Sequence, residues 1–162
     1  MRWFFVAFAA LAAACTTAGA PQATRGTDFD RVLGGGWHGV LTYRDYSPPY
    51  GDVSLPVEAA LTQAEGGVII ALHYPSEPHA DSTELLALSA DGGAIDGHPI
   101  VSRVEQGETV VLTARGPCED DERAAICEMT YTLGDATLAW RKVVIVDGEA
   151  PLRRHEYALN RD

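Results

Sequence analysis

GGGWHGVLTYRDY, Gly34 to Tyr46, decides the fold. Three glycines lead into a tryptophan, and the side chains then alternate. Trp37, Gly39, Leu41 and Tyr43 share one face of a strand, and His38, Thr42 and Arg44 share the other. Glycine permits the backbone angles a chain needs when it swings beneath a sheet and enters its first strand. Trp37 can then plug one end of the space that sheet encloses, and its indole N–H needs a partner there.

The same period of two runs on through the chain. Val53, Leu55, Val57, Ala59 and Leu61 alternate with Ser54, Glu58 and Thr62. Pro56 lacks an amide hydrogen and requires an edge, a bulge or a strand start. Glu65-Gly66-Gly67 turns the chain into the β-branched run Val68–Tyr74, and Pro75–Asp81 is loop by composition. Leu85–Ser89 is short, Asp91-Gly92-Gly93 is a hairpin signal, and the chain returns around Ile100–Val104. Strands follow at Thr109–Arg115, Ala125–Leu133, Thr137–Ile145 and Leu152–Asn160. Only Thr27–Leu33 has helical character, with Thr27 or Asp28 as its cap. Short turns make sequential strands antiparallel neighbours. A meander of this length leaves two edges of unpaired backbone groups unless it closes. The reading is all-β: an antiparallel up-and-down barrel of about eight to nine strands over residues 28–162. A two-sheet sandwich is the competing arrangement.

The N-terminus sets a compartment. Arg2 followed by the uncharged apolar run Trp3–Ala14 reads as a secretory signal over residues 1–14, too short for a permanent membrane span. Leu11-Ala12-Ala13-Ala14-Cys15 resembles the lipobox of bacterial lipoproteins, which implies lipidation of Cys15. Residues 15–27, small, polar and bearing Pro and Gly, are then a flexible tether. Cleavage after Ala18-Gly19-Ala20 is the alternative, and it would leave Pro21 at the new terminus. There are three cysteines. Lipidation of one leaves Cys118 and Cys127 to pair in an oxidising compartment, stapling the acidic segment Glu119–Arg123. The expected location is the bacterial envelope, lipid-anchored to the membrane and facing the periplasm. Thr16 in place of aspartate points to the outer membrane under the enterobacterial sorting rule. The net charge of -11 disfavours nucleic acid as a partner.

A short helical turn, Gly35-Gly36-Trp37 and a first strand together resemble the start of the lipocalin and wider calycin group. That resemblance implies a late-strand arginine packed on the tryptophan, and Arg141, Arg153 and Arg154 are the candidates. The longer pattern Trp-x-Gly-x-Leu-x-Tyr-x-Asp-Tyr resembles a set of small bacterial envelope proteins and implies a shared scaffold without a defined activity. Some small ten-stranded calycin-like proteins that begin Gly-x-Trp-x-Gly hold haem through a histidine near the C-terminus. Gly35–Gly39 and His155 resemble that arrangement. The glycine-rich continuation is replaced here by Leu41-Thr42-Tyr43-Arg44, and no cofactor is assigned.

Chemistry is sparse. Histidines 38, 73, 79, 98 and 155 are dispersed, with no zinc-ligand spacing, and no metal is assigned. No nucleophile elbow, phosphate loop or dinucleotide glycine pattern is present, so no enzymatic activity is assigned. Glu119–Glu122 lacks the spaced ligands of a calcium loop. Small residues such as Ala59, Ala114 and Ala139 leave a cavity if they face inward. Tyr43, Tyr131 and Trp140 are the candidate ligand contacts in it. Tyr43, Tyr46 and Tyr50 also frame a proline-rich loop that either meets a partner or packs on its own barrel. The expectation is a binder of a small, mainly apolar ligand. The alternative is a filled barrel that meets another envelope protein.

Overall fold

The computed structural model describes residues 23–25 and 27–162. The signal sequence expected at 1–14, the anchor at Cys15 and most of the tether lie outside the described residues. Ten strands form one antiparallel sheet: β1 (Gly34–Asp45), β2 (Gly51–Ala64), β3 (Gly67–His73), β4 (Ser82–Ala87), β5 (Ala94–Ile95), β6 (His98–Gln106), β7 (Thr109–Asp120), β8 (Arg123–Leu133), β9 (Thr137–Ile145) and β10 (Leu152–Asn160). Their order is β4-β3-β2-β1-β10-β9-β8-β7-β6-β5. The strand missed by the alternation is β5, because two residues are too short to show a period. Its pairing nearly closes the barrel. Leu88 bridges Ile95, the Asp96 amide donates to the Ala87 carbonyl at 2.8 Å, and the Asp96 carboxylate takes the Ala87 amide at 2.8 Å.

The opening glycines serve two purposes. Gly34 (φ 99°) and Gly36 (φ 80°) take left-handed angles at the bulge where β1 slips register against β2. Gly39 lies where β1 and β10 approach closely, since a Cβ there would sit 2.0 Å from the Ala158 carbonyl oxygen.

Register stacks the interior in layers. Val110, Leu133, Leu138, Leu159, Gly39 and Val57 are successive cross-strand partners and form the first layer. Leu112, Tyr131, Trp140, Tyr157, Leu41 and Leu55 form the second. Ala114, Met129, Lys142, His155, Tyr43 and Val53 form the third. The first layer is almost dry, whereas Met129, Lys142, His155 and Tyr43 in the third are only half-buried. The small residues divide between the faces: Ala59 and Ala114 are buried inside, and Ala71 and Ala139 face outward.

Cys118 and Cys127 form a disulfide between β7 and β8. The acidic segment between them is a hairpin, with Asp121 (φ 51°) and Glu122 (φ 60°) at its turn, so β7 and β8 run further than the alternation indicated. The expected helical turn is a three-residue 3-10 helix, Asp30–Val32, with no side-chain cap. Asp28 is buried instead and accepts Arg103 in a bidentate pair, Nη2 at 2.7 Å and Nε at 2.9 Å, with the Arg25 amide on the same carboxylate. Burial pushes the Asp28 carboxyl upward. The hydrogen bonds from Arg103 and the Arg25 amide and the nearby positive charge outweigh that, leaving it below its usual range.

Candidate ligand site

The barrel end at which β1 begins is sealed. Trp37 is 1 % exposed, and its indole N–H donates to the Val32 carbonyl at 2.9 Å, within the 3-10 turn that lies under it. The arginine over its ring is Arg161, with the guanidinium carbon 4.3 Å from the ring centre. Arg161 also donates to the carbonyls of Leu33, Arg31 and Asp135, which ties the turn to the β8–β9 connection. Sequence reasoning missed it because it follows the last strand, outside any alternating run.

The three arginines expected there lie elsewhere. Arg141 is exposed on the outer face of β9. Arg153 pairs with Asp52 at 2.6 Å and Glu156 at 3.2 Å. Arg154 covers the Tyr46 ring at 4.4 Å, pairs with Asp120 at 3.4 Å and donates to the Arg44 carbonyl. The Tyr46 hydroxyl also reaches Asp120, at 3.3 Å. The tyrosine loop is therefore fastened to its own barrel as far as Tyr46, while Tyr50 stands in solvent.

Inside, above the first layer, a half-open cavity of about 350 Å3 remains. One wall is Tyr131, Trp140, Tyr157, His155 and Met129. The other, across the gap left by the short strands β4 and β5, is Ile70, Leu72, Glu84, Leu86 and Asp96. Trp140 and Tyr157 stack with centroids 4.2 Å apart and planes at 19°. The Tyr157 hydroxyl is held by that of Tyr74 at 2.9 Å. Of the expected ligand contacts, Tyr131 and Trp140 line this cavity. Tyr43 packs against the core one layer further out and is not among its walls. Sequence reasoning missed Tyr157 as a lining residue and met His155 only through the haem resemblance, although the alternation of β10 would have placed both on one face.

Two groups there lack partners. Burial pushes the Tyr131 hydroxyl up, with help from the Asp96 charge, and no hydrogen bond relieves it. Burial pushes His155 down to about 4, reinforced by the positive charges of Lys142 and Arg154, so the imidazole is neutral at ordinary pH. A neutral ring and a free phenol in an aromatic pocket can orient the polar end of a ligand.

A shallower groove of about 760 Å3 crosses the outer face of β1 to β4, over Gly36, Ala60 and Ala71. Trp37, His38 and His73 are among its lining residues, but the Trp37 ring is buried on the inner side of the sheet. Among the described residues, no group of three or more His, Cys, Asp or Glu side chains could hold a metal ion.

The donor type of His155 suits haem, but the space does not. The Trp140–Tyr157 stack and the Tyr74–Tyr157 bond occupy the centre, and the volume is at the low end for ligand sites. A one- or two-ring molecule fits where a tetrapyrrole would have to displace that stack.

The molecule is thus a nearly closed, ten-stranded antiparallel barrel, plugged at one end and hollow above its middle. No family model and no curated protein match the chain. Its fold is similar to the crystal structure of Rv2717c from M. tuberculosis, with a TM-score of 0.52 and 10% identity, covering 83% of this chain and 94% of that one. At that identity the likeness concerns the fold alone.

Proposed function

We propose that this protein is a calycin-like binder that holds a small, mainly apolar ligand in the barrel cavity. The carrying observation is the hollow between the aromatic second layer and β4, flanked by the unpartnered Tyr131 and His155. Burying ligand surface there contributes about 25 cal/mol per Å2 of apolar area. The sequence supports an envelope location through lipid on Cys15, reached by secretion. Mass spectrometry of native protein tests both ideas. A diacyl or triacyl mass on Cys15 and a retained small molecule are expected. A mature chain starting at Pro21 rejects the anchor.

A partner-binding role is the second reading. It is favoured by an uncharged row on the outer face, in which Val40, Ala158, Ala139, Thr132, Val111 and Val104 are successive cross-strand partners. An apolar fluorescent probe separates the two readings. Titration that quenches Trp140, and loses its effect in Trp140→Phe, supports the cavity. A probe that binds without sensing Trp140 supports the outer face.

A further inference from the structure

We infer, on the basis of the cavity reading, that the ligand is a monoanion with a flat apolar body, of the aromatic monocarboxylate class, its carboxylate held by Lys142 and His155. Lys142 carries the argument. On β9 the inward positions are Leu138, Trp140, Lys142 and Val144, of which all but Lys142 are buried. Lys142 stands directly opposite Met129 on one side and His155 on the other. The only lysine of the chain therefore takes an inward position of β9, in the layer next to the stacked rings; it is not itself a lining residue of the cavity, but both its cross-strand partners, Met129 and His155, are.

It has no carboxylate partner among the described residues, although the chain carries a net charge of -11. Three acids at the same end are already taken. Asp52 is paired with Arg44 and Arg153, Glu156 with Arg153, and Asp120 with Arg154. Inside, one Asp96 oxygen is occupied by the Ala87 amide, and Glu84 lies on the far wall, on β4. A half-buried ammonium loses hydration without gaining a counter-charge, and a ligand carboxylate supplies one.

His155 beside it is half-buried and makes no hydrogen bond among the described residues. As a neutral imidazole it can donate one N–H to a carboxylate oxygen. One positive charge and one neutral donor suit a monoanion. A dianion would face Glu84 and Asp96 with half its charge unmatched. A carboxylate at Lys142 directs its ring toward Trp140, Tyr157 and Met129, a surface suited to a flat apolar body.

Three probes of one shape test this: 2-naphthoate, 2-naphthalenemethanol and 2-naphthylmethylamine, each titrated calorimetrically into the full chain. The naphthoate should bind about tenfold tighter than the neutral alcohol. Lys142→Met should bring it down to the alcohol's affinity and leave the alcohol's binding unchanged. Lys142→Arg should keep the preference, and thermal unfolding of each variant confirms that it folds. Equal binding of naphthoate and alcohol overturns the anion assignment and leaves the cavity standing. Tightest binding by the amine overturns it in favour of Glu84 and Asp96. If none of the three binds, the cavity reading falls as well.

Discussion

The two ends of this barrel solve opposite problems. At the end under Trp37, the polar groups around the plug have partners, the Arg31 Nε excepted. The indole N–H finds Val32, Arg161 serves three carbonyls, and Asp28 locks Arg103. Two layers further along, the interior contains a lysine, a histidine and a tyrosine hydroxyl that nothing in the described chain satisfies. One end is arranged for stability. The other leaves stability unclaimed where a ligand can supply the missing contacts, the usual relation between binding sites and the scaffolds that carry them.

That contrast can be broken or sharpened by mutation. Trp37→Ala should have the largest effect, about 3–5 kcal/mol in denaturant unfolding, because it empties the plug and strands Arg161. A cost under about 1 kcal/mol would mean that the closed end does not hold the barrel together. Asp28→Ala should come close behind, at about 3 kcal/mol, since buried Arg103 is left with only the half-exposed Glu105 as counter-charge. Replacing Cys118 and Cys127 by alanine should cost about 2–3 kcal/mol, the chain-entropy figure for a short loop.

The other end should respond in the opposite sense. Lys142→Met should leave the unfolding midpoint unchanged or raise it, because it removes a half-buried cation that has no partner. A clear destabilisation would show that Lys142 has a structural role and would blur the contrast.

Acid should expose the same division. The His155 pKa in the folded protein is about 4, against 6.5 for a free imidazole. Between those values the unfolded chain takes up a proton that the folded one refuses, so stability falls as pH drops from 6.5 toward 4. His155→Phe should flatten that part of the profile. Asp28, lowered on folding, stabilises above its unfolded value of 3.8, and its contribution goes as pH falls through its lower folded value. Asp28→Asn should lower stability across the neutral range and flatten only this more acid limb. The smallest effect belongs to the exposed pair His73–Asp81, 2.8 Å apart across the β3–β4 loop. His73 is raised by that bond, so its contribution is present below its unfolded value and fades as pH rises through the folded one. His73→Gln should shift the unfolding midpoint barely at all.

Alternation was legible wherever strands were long. It put Trp37, Leu41 and Tyr43 on one face of their strand, Val57 with Leu55 and Leu61, and Tyr131 with Met129 and Leu133, and the structure turns those faces inward. It passed over β5, whose two residues cannot display a period, although closure depends on them. The cysteine pair was readable from count and the expected compartment. Arg161 was not, because a residue beyond the last strand has no periodic neighbours to orient it. Asp28 looked like a helix cap because local sequence shows only local uses for a carboxylate, and its partner is 75 positions away.

By itself, the amino-acid order determined the long strands and which residues share a face of each, since side chains on a pleated strand must alternate. It also determined that so many consecutive antiparallel strands need to close. Only the tertiary structure decided which inward positions meet. Register, summed across successive ladders, sets Lys142 opposite His155 and sends Arg161 back over Trp37. Those meetings depend on where each strand begins relative to its neighbour, and a one-residue slip would turn every such side chain to the opposite face.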